Sequence, residues 1–121
     1  MDRNELEKYN VGENLDALMT LDPRGYGVCR ILYAGSRAHT GAPLTMAAAE
    51  ALCRELKEND PVFILTGFVL LPHKVPEMDG MVSSMLLCRA LVLAFNAKPI
   101  IICPEDSLEA IEKCANVVGL H

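Results

Sequence analysis

The chain has 121 residues, 51% of them apolar and 22% charged, with 8 Gly and 7 Pro. That make-up suits one small globular domain and argues against collagen-like or disordered chains. Sixteen acidic residues against eleven basic ones give a net charge of −5, which argues against a nucleic-acid backbone as partner, since that would call for a basic face.

Five cysteines stand at 29, 53, 88, 103 and 114, none in a CxxC pair. Their spacing offers neither a zinc site nor a redox dithiol, and they read as reduced core thiols of a cytosolic protein. The N-terminus carries Asp2, Glu5 and Glu7 rather than the basic-then-apolar pattern of a signal peptide. The longest apolar run, 62–71, contains Thr66 and Gly67 and stops at Pro72, well short of the ~20 residues that cross a bilayer. The expectation is a soluble, cytoplasmic protein with no membrane partner.

In chain order, residues 3–21 read as a helix broken at Gly12, with Leu15, Leu18 and Met19 as a weak stripe. The Asp22-Pro23-Arg24-Gly25 sequence is a turn. A second helix is expected over 27–39, with Val28, Ile31, Leu32 and Ala38 on one side and Gly41 and Pro43 beyond its end. Thr45 is expected to cap a third helix over 46–57, whose stripe is Met46, Ala49, Leu52, Cys53 and Leu56. Asn59-Asp60-Pro61 stops it.

Residues 62–66, Val-Phe-Ile-Leu-Thr, form a continuous β-prone run, expected to be a strand covered on both faces. A loop over 67–79 leads to a helix over 80–96, apolar nearly all round apart from Ser83, Ser84 and Arg89, and so packed on several sides. A second buried strand is expected over 99–103. A last helix, capped by Asp106 or Ser107, has Leu108, Ile111, Ala115 and Val118 on one stripe and Gly119 at its end. The order predicts an α/β fold: a helical segment over 1–60, then a three-layer, Rossmann-like βαβα unit with parallel strands over 61–121. Two buried parallel strands leave open edges. The chain is therefore expected either to pair its sheet with another copy as a homo-oligomer, or to be a partial domain lacking its C-terminal half.

In open α/β sheets ligands bind beyond the carboxyl ends of the strands. Thr66 and Gly67 fall there, with Glu77, Asp79 and Gly80 where the loop enters the long helix. A helix N-terminus presents free N–H groups and partial positive charge to an anion. Gly67 and Gly80 permit close backbone approach, and Thr66 is placed to donate a hydrogen bond. Asp79 also reads as a helix cap, Glu105 and Asp106 as ordinary first-turn acids, and Arg37 as a cation near a helix end. His73 reads as a solvated loop residue. Neither GxxxxGK[ST] nor GxGxxG occurs. No His/Cys/Asp cluster has metal spacing, and the residues name no cofactor.

The strand 62–66 followed by Gly67 and Phe68, the Pro-Glu-Met-Asp-Gly segment at 76–80 and Cys88-Arg89-Ala90-Leu91 together resemble the D-glutamate cyclase family. Upstream, Arg24-Gly25, Leu32-Tyr33, Arg37 and the Gly-Ala-Pro-Leu-Thr run at 41–45 resemble that family's N-terminal segment. The likeness spans about residues 20–105 and only the N-terminal part of a family whose members are more than twice as long. Met78 stands where the family has Thr, and Met81, Val82 and Ser83 replace its small residues and prolines. The resemblance implies a lyase that converts D-glutamate to 5-oxo-D-proline and water. It implies a small carboxylate as partner, with Glu77 and Asp79 as candidate acid and base. Thr66, Gly67, Gly80 and Arg37 are the candidate binding residues. A second reading is a non-catalytic small-anion-binding module, or a partial subunit of a larger α/β assembly.

Overall fold

A computed structural model describes residues 1–120, which divide into two compact units, 1–55 and 56–120. The first contains α1 (Arg3–Met19), α2 (Val28–Thr40) and α3 (Leu44–Glu55). α1 opens with a reciprocal capping box: the Glu5 amide donates to Asp2, and the Asp2 amide donates to Glu5. The break expected at Gly12 does not occur. Gly12 lies within α1 because another element approaches it: a Cβ there would stand 2.8 Å from Pro43 Cβ and 2.9 Å from Met46 Cβ. Its missing side chain lets α3 pack against the helix rather than ending it.

Thr45 is not the cap of α3. The first amides of that helix, Leu44 and Thr45, donate to the Asp16 carboxylate of α1 at 2.6 and 2.9 Å, so the cap arrives from a neighbouring helix. Gly41, at φ +74°, ends α2 in the left-handed conformation. The apolar residues expected to bury α2, Val28, Ile31 and Leu32, are exposed.

The second unit contains β1 (Pro61–Leu65), β2 (Val69–Leu70), β3 (Val75–Pro76), α4 (Met78–Phe95), β4 (Lys98–Ile102) and α5 (Glu105–Val117). β1 and β4 pair in parallel, Val62 opposite Pro99 and Ile64 opposite Ile101. Lys98 N donates to Asp60 O at 2.8 Å and Thr66 N to Ile102 O at 3.0 Å, extending the ladder at both ends. The alternation of a parallel ladder then puts Pro61 and Pro99 on the outward rows, where a missing N–H costs nothing.

The core lies on one face of this sheet. Met81, Met85 and Cys88 of α4 and Ile111 of α5 are buried together, with Ile64 and Ile101 packed beneath them. Each such side chain contributes about 1.5–3 kcal/mol by leaving water. The opposite face is bare: Phe63 is 61% and Leu65 75% exposed, and Ile100 and Ile102 nearly half. The expectation of strands covered on both faces, and with it a third layer, is corrected by this exposure. The unit is α/β with a small parallel sheet whose core lies on one side. The expectation that α4 is packed on several sides also fails, since Leu86, Leu87 and Leu93 are exposed. α4 has the length and mean hydropathy, 1.6, of a membrane-crossing helix, yet one of its faces is this core. The expected loop over 67–79 contains a short antiparallel hairpin, β2 with β3.

Among the described residues all five cysteines are unpaired, but Cys29 and Cys53 are exposed rather than core thiols. Burial pushes the Cys88 thiol pKa upward.

Candidate functional site

The carboxyl ends of β1 and β4 are where the second unit collects its polar groups. β1 runs into Thr66, and the Thr66 hydroxyl donates to the Gly80 carbonyl at 3.0 Å. Ser84, one turn along and buried, also donates to Gly80 O. The first turn of α4 is thereby tied to the end of the strand. Gly80 permits the approach, because a Cβ there would stand 3.2 Å from Thr66 Oγ1. Thr66 was expected to be a free donor. Its hydrogen is engaged by the protein, and what remains for a ligand is the oxygen's lone pairs.

Gly67 is required by two independent features. Its φ of +98° lies in the region that L side chains avoid. A Cβ on it would also stand 2.7 Å from Pro104 Cδ and 3.1 Å from Ser107 Oγ. The turn after β1 is thus pressed against the turn after β4. Ser107, in the first turn of α5, is fully buried, and its hydroxyl has no hydrogen-bond partner among the described residues. Nothing in its sequence context distinguishes it from a surface serine.

Glu77 occupies the N-cap position of α4 without a side-chain bond to the helix. Its amide donates to Phe68 O at 2.8 Å, closing the hairpin loop and holding the half-buried Glu77 at the helix entrance. Asp79 lies inside the first turn, exposed, its carboxylate 2.6 Å from the Gly80 amide. The N-cap expected at Asp106 or Ser107 is Pro104 instead, and Glu105 and Asp106 form the exposed start of α5. The ends of two strands and the starts of two helices therefore supply backbone donors and carboxylates to one end of the sheet. Of the expected residues, Thr66 and Gly80 are joined by a direct hydrogen bond, Gly67 follows Thr66 and abuts the turn after β4, and Glu77 and Asp79 precede Gly80 in the chain.

Arg37 belongs to the first unit. Its Nη2 donates to Glu13 and to Tyr9 Oη, and its guanidinium lies 5.6 Å from the Tyr9 ring centre. The carboxylate it grips is one of this unit's own. Beside it stands Asp16, 2% exposed. Burial raises the Asp16 pKa, but bonds from the Thr45 hydroxyl and amide, the Leu44 amide and Tyr33 outweigh that, leaving it at about 2. Arg89, on α4, donates to Val118 O at the end of α5, where a cation suits the helix dipole. A groove of about 500 Å³ in the first unit runs along Val11, Gly12, Leu15, Met46, Ala49 and Cys53. Its walls are mainly apolar, with Glu7, Lys8 and Glu50 also lining it. No group of His, Cys, Asp and Glu among the described residues has metal-binding geometry.

No curated protein and no solved structure matches the chain. The family model described as D-glutamate cyclase-like, C-terminal, matches residues 15–121, taking in the end of α1, all of α2 and α3, and every element of the second unit. The match is to the family's C-terminal model, which corrects the expectation of a likeness to its N-terminal part only; the chain belongs to the D-glutamate cyclase-like family.

Proposed function

We propose that the carboxyl ends of β1 and β4 form a small-carboxylate site of a lyase that cyclises D-glutamate to 5-oxo-D-proline with loss of water. Family membership supports the substrate class. The observation that carries the reading is the strand-to-helix junction, in which Thr66 holds Gly80 and α4 begins between Glu77 and Asp79.

In this reaction the α-amine attacks the side-chain carboxyl carbon, an amide C–N bond forms, and one carboxyl oxygen leaves as water. The nitrogen must give up two protons in all, one before attack and one as the amide forms, and the departing oxygen must gain both to leave as water. Glu77 and Asp79 are the proposed pair for these transfers. The first amides of α4, with the backbone at Gly67 and Gly80, would hold a carboxylate by the partial positive charge of the helix start. Thr66 Oγ, having given its hydrogen to Gly80, would accept from the amine. Because the ring has five members, holding the two ends of one molecule together supplies much of the rate. Arg37, proposed from sequence as a fork for the second carboxylate, would first have to release Glu13. The reading therefore rests on the strand-end residues.

The test is release of 5-oxoproline from D-glutamate by the full chain. Glu77→Gln and Asp79→Asn are each expected to lower kcat by roughly 100-fold or more, as removal of a general acid or base does. Wild-type rates in both variants would remove these carboxylates from the chemistry. Binding of D-glutamate without turnover would favour the anion-binding module.

A further inference from the structure

Among the described residues, Ser107 Oγ is the one buried side-chain polar atom without a hydrogen-bond partner, and no part of Ser107 is exposed. Buried hydroxyls are nearly always bonded, and an unmet one is destabilising. Its place in α5 explains the missing partner. Pro104 is the N-cap, which makes Ser107 the third helical residue. A side chain at that position normally reaches back to the N-cap amide, and proline has none. α1 shows the complete arrangement, with Asp2 and Glu5 bonded reciprocally.

The start of α5 is also open. Pro104 brings no side-chain cap, and the amides of Glu105 and Asp106 can find no acceptor within the helix. Against this start lies the turn after β1, where a Cβ on Gly67 would stand 3.1 Å from Ser107 Oγ. The residue before it, Thr66, holds Gly80 of α4. Two successive residues of one turn, their Cα atoms about 3.8 Å apart, thus meet the starts of two helices.

We propose that Ser107 Oγ and the open start of α5 bind the α-carboxylate of the amino-acid substrate, while the start of α4 receives the side-chain carboxyl that reacts. This assignment rests on the reading of the strand ends as a glutamate site and divides that site between the two helices. A substrate with two carboxyl groups needs two holders, and Arg37 is engaged with Glu13. The Ser107 hydroxyl is already out of water, so its bond to a carboxylate is not offset by lost hydration, and a charged acceptor makes the bond a strong one. Gly67 covers the hydroxyl, so contact requires the turn to draw back from Pro104. A glycine at the end of a strand is suited to absorb that shift. The carboxylates of Glu105 and Asp106 stand at the same helix start, but they are exposed, and solvent screens their repulsion.

The experiment is calorimetry of the full chain with D-glutamate and with 4-aminobutyrate, which keeps the amine and the reacting carboxyl but lacks the α-carboxylate. Wild type is expected to bind D-glutamate at least tenfold more tightly than 4-aminobutyrate. Ser107→Ala is expected to weaken D-glutamate binding by roughly tenfold, the effect of one hydrogen bond to a charged group, and to leave 4-aminobutyrate within about twofold. Without ligand, Ser107→Ala is expected to unfold at a higher urea concentration than wild type, because it removes an unmet buried hydroxyl. A purely structural serine would not combine a gain in stability with a loss confined to the ligand that carries the α-carboxylate. Unchanged D-glutamate binding in Ser107→Ala, or equal losses for both ligands, would overturn the assignment and leave the strand-end reading standing. A lower urea midpoint in Ser107→Ala would show that the hydroxyl serves the fold, and would overturn it as well. Absence of D-glutamate binding to wild type would overturn both the assignment and the reading beneath it.

Discussion

Asp16 accepts hydrogen bonds from the Thr45 hydroxyl and amide, the Leu44 amide and Tyr33, all while buried. An acid in a helix otherwise rich in surface charge reads as one more solvated residue. Its importance depends on where α3 starts, and no local pattern around Asp16 encodes that. The folded-state pKa of about 2 lies below the ordinary range of an aspartate in an unfolded chain, near 3.8, so the stabilisation is complete above pH 4 and fades as pH falls from about 4 to 2. The linkage amounts to about 2 kcal/mol. Asp16→Asn should lose about that much at pH 7 and flatten the acid limb of a melting-temperature profile. An unchanged profile would show that the carboxylate is not what holds α3. Gly67 poses the converse case, since its need for glycine was visible only as a position at a strand end. With φ at +98° and Pro104 Cδ in the way, Gly67→Ala should destabilise by roughly 1–3 kcal/mol, measurable by urea titration.

At the scale of elements, β1, α4, β4 and α5 each begin within about two residues of where the sequence places them. Their apolar runs are long, and Pro61 and Pro99 punctuate them. The burial of those elements was misread for a physical reason. A run such as Val-Phe-Ile-Leu is apolar at every position, so it cannot distinguish a strand covered on both faces from one awaiting a cover. The hairpin within 67–77 went unseen because strands of two residues carry no periodicity. The Thr66–Gly80 bond makes a prediction here. Thr66→Val keeps the shape but removes the donor, and should cost about 1 kcal/mol and speed hydrogen exchange in the first turn of α4. Thr66→Ser should restore protection. Equal exchange in both variants would mean that the junction is held by packing alone.

The whole molecule is two compact units, one helical and one α/β, and the family match runs through both. The sequence brought Thr66, Gly67, Glu77, Asp79 and Gly80 to one end of the second unit because the rule is topological: parallel strands put their carboxyl ends, and the helices that follow, on one side. It assigned Arg37 to the same purpose because charge and spacing do not reveal that Glu13, one α-helix away in the chain, already pairs with it. The central claim is that small carboxylates bind where β1 and β4 end. It is tested most directly by adding D-glutamate to the ¹⁵N-labelled chain and following each backbone amide. Shifts should concentrate at Gly67, Asp79, Gly80, Glu105 and Asp106, with residues 1–55 essentially unmoved. Shifts confined to the helical unit, or none at saturating D-glutamate, would refute it.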